Sequence, residues 1–226
     1  METNILNIKS ADGQNLPVYE FIPLKPIISS IVIIYEIFGA TKHIKTLSKN
    51  LAELGFLVHV PDIFSRLEKD VCLTYDSKGF EKGIELKEKL GWELPIMDIV
   101  SCASILKKKY AVSVMGFCYG GSLAWIAAQK SYIFDKAICY YGSSIPEYLK
   151  KNINCPALVH FGKNDKGIPS KEVKKVKQYS ETQNITVKVF EYENADHGFN
   201  CDERKSYNKE AATLAMERNF KFLEEL

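Results

Sequence analysis

Apolar positions along this chain follow two rhythms, one that fits strands and one that fits helices. Ile5 to Lys9 and Leu16 to Ile22 cluster apolar residues on either side of Asp12-Gly13, a turn signal, and predict an opening antiparallel hairpin ended by Pro23 and Pro26. Ile27 to Tyr35 is an almost unbroken β-branched run, as expected of a strand covered on both faces. Helices must therefore flank it. Ile44, Leu47, Leu51 and Leu54 recur at helical spacing from His43 onward, with Gly55 as the stop. Further strands are expected at Phe56–Val60, Ala111–Met115, Ala137–Tyr141, Ala157–Phe161 and Thr186–Tyr192. Helices are expected at Ile96–Leu106, from Ser122, briefly from Pro146, at Ser170–Tyr179, and from Asn208 to Leu226. The stretch from Ile63 to Gly91 shows neither rhythm clearly and reads as a long, lid-like loop.

Strands that alternate with helices, through connections too long for hairpins, predict an α/β fold: a mainly parallel sheet flanked by helices on both faces. No repeat, low-complexity segment or linker divides the chain, so residues 1–226 are expected to form a single domain.

Composition narrows the function. Hydrophobic residues make up 46% and charged ones 26%, and the formal net charge is only +2, which argues against a nucleic-acid or membrane-surface partner. Lys107-Lys108-Lys109 ends a predicted helix, where its charge suits the dipole. The uncharged stretch Tyr110 to Ala128 approaches bilayer-spanning length, but its Gly120-Gly121 break favours a buried strand-turn-helix. Six dispersed cysteines with no C-x-x-C pair, and no signal-like start, point to reduced thiols in a cytoplasmic protein.

The chemistry centres on Gly116-Phe-Cys118-Tyr-Gly120-Gly121. It is the nucleophile-elbow pattern G-x-S-x-G with a thiol in place of the hydroxyl, set between a strand and an alanine-rich helix. Sites in open α/β sheets form beyond the carboxyl ends of strands. Polar residues stand at four such places: Glu36, Cys118, Asp165 and His197. The last three follow the chain order nucleophile, acid, histidine. His59 and His160 lie within strands and read as core side chains, and His43 opens a helix. No histidine pairs with a cysteine or carboxylate at metal-ligand spacing, so neither metal nor cofactor is expected.

Tyr35-Glu-Ile-Phe-Gly39, Val60-Pro-Asp-Ile-Phe-Ser-Arg66, the elbow, Tyr140-Tyr-Gly142, Gly162-Lys-Asn-Asp165, Asp196-His-Gly-Phe199 and the tail with Asp202, Arg204, Tyr207 and Ala211-Ala212 together resemble the dienelactone hydrolase family. The resemblance implies an α/β-hydrolase without a large cap that opens a small lactone or activated ester through a Cys118–Asp165–His197 triad and a thioester. It also implies that Glu36 takes the thiol proton when substrate binds, and that the backbone N–H groups of Ile37 and Tyr119 hold the oxyanion. The family's substrate-clamping arginines are absent. Lys78 and Lys82 stand in the first segment and Cys201 at the second place, and Tyr35 replaces a glutamine. With Phe199, these are the expected substrate contacts, while Arg204 reads as a structural ion-pair residue. A short-chain carboxylesterase or thioesterase, and a binding protein on an inactive scaffold, are the alternatives. The expected partner is a small molecule, and the expected state a monomer or small homo-oligomer.

Overall fold

The computed structural model describes residues 1–225. The hairpin is as expected: β1 (Glu2–Lys9) and β2 (Asn15–Ile22) pair antiparallel. Its turn is fixed by Gly13 at φ 84° and by Asp12 Oδ1, which accepts the Gln14 N–H at 3.1 Å.

The alternation follows: β3 (Ser29–Ile34), α1 (Lys42–Glu53), β4 (Phe56–Pro61), α2 (Ser77–Leu90), α3 (Glu93–Leu106), β5 (Val112–Phe117), α4 (Tyr119–Lys130), β6 (Lys136–Tyr140), β7 (Ala157–Gly162), α5 (Ser170–Glu181), β8 (Val187–Tyr192) and α6 (Lys209–Glu224). These strands form one sheet in the order β1-β2-β4-β3-β5-β6-β7-β8, parallel from β4 onward. Every residue of β3 to β7 is buried, which requires cover on both faces and accounts for their continuous apolar sequences. No helix among the described residues is long and apolar enough to cross a membrane.

One expectation is overturned. Between Ile63 and Gly91 the chain forms a short 3-10 turn, Ile63–Arg66, and then the 14-residue helix α2. Asp76 caps α2 by accepting the Gly79 N–H at 2.8 Å, and Gly91 ends it at φ 69°. Its two glycines obscure the pattern, yet both are required by packing. A Cβ at Gly79 would stand 1.9 Å from the Thr74 carbonyl oxygen, and one at Gly83 2.5 Å from that of Ile37. The last helix begins after Asn208, whose side chain accepts the Ala211 N–H at 3.0 Å. Of the residues expected in that helix, Leu226 lies outside those described.

Candidate active site

Cys118 sits between β5 and α4 at φ 54° and ψ −115°, a conformation that strains any residue with a side chain. The neighbouring glycines make the turn possible. A Cβ at Gly116 would lie 1.9 Å from the Gly120 oxygen, one at Gly120 2.3 Å from the Ile34 oxygen, and one at Gly121 2.3 Å from the Tyr140 oxygen. The tight turn leaves the half-buried thiol at the N-terminal end of α4.

Loops after β7 and β8 meet beside it. The Asn164 N–H donates to the Ala195 oxygen at 2.9 Å and ties the two loops together. Asp165 Oδ1 accepts the Gly167 N–H at 2.8 Å, and its Oδ2 lies 2.7 Å from His197 Nδ1. Holding a proton on Nδ1 turns the other ring nitrogen away from the carboxylate. Burial disfavours a charged imidazole here, but the adjacent Cys118 sulfur and the Asp165 carboxylate outweigh it and push His197 up to about 10. The Tyr141 ring supports the imidazole at a centroid distance of 5.0 Å.

Cys118, Asp165 and His197 share the wall of a cavity of about 440 Å³. Ile37 and Tyr119 line it too. Tyr119 is the first residue of α4, so its N–H has no acceptor within the helix.

Glu36 lies behind that wall, 2% exposed. Its Oε1 accepts from Arg204 Nη1 at 2.9 Å, while Oε2 is buried with no partner among the described residues. Arg204 lies over the rings of Phe38 and Tyr75, at 5.6 and 6.0 Å, and also reaches the cavity. Gly198 makes room for it: at φ 79°, a Cβ there would meet Nη1 at 2.4 Å. The ion-pair role expected of Arg204 is therefore matched by a place on the cavity wall.

The residues expected to touch substrate are located elsewhere. Tyr35 is fully buried; its hydroxyl donates to Asp62 Oδ1 at 2.9 Å and accepts the Phe64 N–H at 2.8 Å, so it braces the turn after β4. Phe199 packs on Tyr141 and Tyr192 in the core, and Cys201 is buried outside the cavity wall. Lys78 is exposed, and Lys82 pairs with Glu68 at 2.9 Å. The cations that do line the cavity are Lys166, Arg204 and Lys87, the last with Phe80 and Ile84 from the same face of α2. Lys87 Nζ lies 5.8 and 5.9 Å from the ring centroids of Trp92 and Tyr119, and it has no carboxylate partner among the described residues. The i, i+4, i+7 spacing of Phe80, Ile84 and Lys87 was the available signal for this wall.

A mainly parallel sheet bearing a strained elbow cysteine, with an acid and a histidine after later strands, defines an α/β-hydrolase. The chain belongs to the dienelactone hydrolase family, whose sequence pattern matches residues 16–226. It is 30% identical over 230 residues to the carboxymethylenebutenolidase of Pseudomonas putida, covering 99% of this chain and 97% of that one. A Klebsiella pneumoniae protein assigned as a dienelactone hydrolase superposes with a TM-score of 0.86 at 25% identity, covering 100% and 99% of the two chains. A dienelactone hydrolase-like promiscuous phosphotriesterase from metagenomic libraries shares the fold, with a TM-score of 0.78 at 18% identity and 100% and 99% coverage. The chain is thus a hydrolase of the carboxymethylenebutenolidase type.

Proposed function

We propose that this protein opens a small lactone or activated ester with Cys118 as nucleophile, His197 as general acid and base, and Asp165 as the group that orients the imidazole. One observation carries the reading: an elbow cysteine at a helix N-terminus shares a cavity with a histidine whose Nδ1 is held 2.7 Å from a buried carboxylate.

In the proposed sequence the Cys118 thiol first loses its proton. The resemblance to the family gives that proton to Glu36, whose Oε2 is buried without a hydrogen-bond partner among the described residues. The thiolate then attacks the carbonyl carbon while the carbonyl electron pair moves to oxygen. The N–H groups of Ile37 and Tyr119 stabilise that oxyanion. Collapse breaks the acyl–oxygen bond, and His197 protonates the departing oxygen, which in a lactone stays tethered to the acyl chain. Water, deprotonated by His197, attacks the thioester carbonyl and expels the thiolate, which takes its proton back from Glu36, leaving His197 protonated and Glu36 ionised for the next cycle.

Lys87 is the proposed contact for an anionic group on the substrate. A lysine lying over two rings without a counter-ion is poised to pair with a carboxylate. The second reading, a short-chain esterase or thioesterase for neutral acyl groups, is favoured by the apolar side chains of Ile37, Phe80, Ile84 and Trp92 around the same cavity.

The test is turnover of dienelactone and of a neutral activated ester by the purified protein, with acyl-enzyme trapped by rapid acid quench and located by mass spectrometry. Acyl adduct on Cys118, and loss of turnover in Cys118→Ala, are expected. Turnover retained in that variant, or adduct on another residue, would overturn the nucleophile assignment. Turnover of the neutral ester alone would select the second reading.

A further inference from the structure

After His197 the same loop runs through Asn200, Cys201, Asp202 and Glu203 to Arg204, and along the way it meets the first turn of α1 at His43. His43 Nδ1 lies 2.9 Å from Asp202 Oδ1, and Glu203 Oε2 accepts the His43 backbone N–H at 3.0 Å. One ligand atom from each of His43, Cys201 and Asp202 lies within 4.8 Å of the others. The sequence separates these residues by more than half the chain, so their spacing gave no metal-binding signal; the fold brings them together.

The other histidines show what distinguishes His43. His160 has both ring nitrogens partnered, by the Tyr192 hydroxyl at 2.8 Å and Asn219 Oδ1 at 2.9 Å. His59 lies between Glu20 Oε1 at 3.0 Å and Cys102 Sγ at 3.6 Å. His43 is only 7% exposed, and its one side-chain hydrogen-bond partner, on Nδ1, is Asp202, a member of the cluster itself. A cavity of about 230 Å³ beside the cluster is lined by His43 and Asp202 together with Asn50, Asn200 and Tyr207, while Cys201 is buried and lies outside that lining. The Asp202 side chain is 60% exposed and free to adjust.

We propose that His43, Cys201 and Asp202 form a binding site for a thiophilic divalent cation of the zinc class. One thiolate, one imidazole and one carboxylate suit zinc, whereas magnesium and calcium take shells of oxygen. Metal–ligand bonds of about 2.0–2.3 Å in a tetrahedron separate ligand atoms by roughly 3.3–3.7 Å. The Nδ1–Oδ1 contact would therefore open by about half an ångström and the more distant pairs close by about 1 Å, within reach of side-chain rotation. On binding, the Cys201 thiol proton leaves to solvent, the thiolate takes its place on the metal, and water completes the shell. Occupancy fixes the loop that carries His197 and Arg204, and so adds metal-dependent stability to that loop.

Cobalt(II) is the probe, titrated into chelator-treated Cys118→Ala protein so that the elbow thiol cannot supply the sulfur. A sulfur-to-cobalt charge-transfer band that saturates at one equivalent, is abolished by zinc, and accompanies a rise in melting temperature is expected. Adding Cys201→Ser should remove the band. Adding Asp202→Asn, a change at a side chain that is 60% exposed, should weaken binding at least tenfold. Absence of the band in the Cys118→Ala parent, its survival with Cys201→Ser, or unchanged affinity with Asp202→Asn would each overturn the site.

Discussion

Replacing Cys118 by alanine should do more than stop turnover; it should change the protonation of His197. The imidazole is pushed up to about 10 although burial, the largest single influence, acts in the opposite direction. Much of the counterweight comes from the charge and hydrogen bond of the Cys118 sulfur, with Asp165 supplying the rest. Without the sulfur, burial is opposed by Asp165 alone, and His197 should fall back toward its ordinary value near 6.5. Each unit of such a fall is worth about 1.4 kcal/mol, so a return of some three units corresponds to about 4 kcal/mol of coupling between the imidazolium and the Cys118 sulfur. The imidazole is one-quarter exposed, so water screens part of this, and 4 kcal/mol is an upper figure. A carbon-13 NMR titration with histidine labelling reads it directly. His160, pushed down to about 3 by burial, stays neutral across the working range and serves as an internal reference. The sign also sets a stability profile. Because the folded-state value lies above the unfolded one, the imidazolium's contribution is complete below pH 6.5 and is lost as pH rises through about 10. Wild-type melting temperature should therefore decline across that window more steeply than that of Cys118→Ala. If His197 titrates at the same pH in both proteins, the Cys118 sulfur does not support the imidazolium charge.

Six other substitutions test the surrounding structure. Gly120→Ala drives a methyl to within 2.3 Å of the Ile34 oxygen, so a loss of about 2–3 kcal/mol is expected in a urea melt, with activity abolished. Arg204→Met leaves the buried Glu36 carboxylate without its only side-chain partner among the described residues and should cost about 3–5 kcal/mol; Glu36→Gln in the same chain should recover much of that loss. Lys87→Ala should raise KM for an anionic substrate about tenfold and leave that for a neutral ester within twofold; equal changes for both would remove Lys87 from substrate recognition. Gly83→Ala pushes α2 away from the Ile37 carbonyl and should lower kcat more than Gly79→Ala, which meets only Thr74; steady-state kinetics of the two, compared with their melting temperatures, separate a local effect from general damage.

Much of the architecture was legible because burial on both faces writes itself into sequence as continuous β-branched runs. Ser29–Ile34 and Val112–Phe117 carry no exposed residue and could be placed to within two or three positions. The elbow was legible for a related reason. Glycines at 116, 120 and 121 each stand against a backbone oxygen, so the glycine pattern itself reports how closely β5, α4 and β6 approach. Asp165 and His197 followed from their positions after β7 and β8, and the structure brings their side chains to 2.7 Å. Tyr35 was not legible in this way. The resemblance put it among the substrate contacts, but it lies just past the end of β3 and fully buried, and the phenol instead joins Asp62 to the Phe64 N–H.

The α2 wall shows where sequence reasoning loses its hold. Two glycines within five residues weaken a helical reading by about 1 kcal/mol each relative to alanine, and the apolar face is broken by Lys87. Both departures from pattern serve the cavity. Gly83 lets α2 lie against the backbone of Ile37, the residue whose N–H is proposed to hold the oxyanion, and Lys87 places a charge over Trp92 and Tyr119. Tyr119 reaches back to the same region, its hydroxyl donating to the Gly91 oxygen at the end of α2. Both proposed oxyanion residues are thus packed against one helix, Ile37 at Gly83 and Tyr119 at Gly91. The wall that would select a substrate and the amides that would stabilise its reaction share a single support, so substitutions that shift α2 should change binding and turnover together.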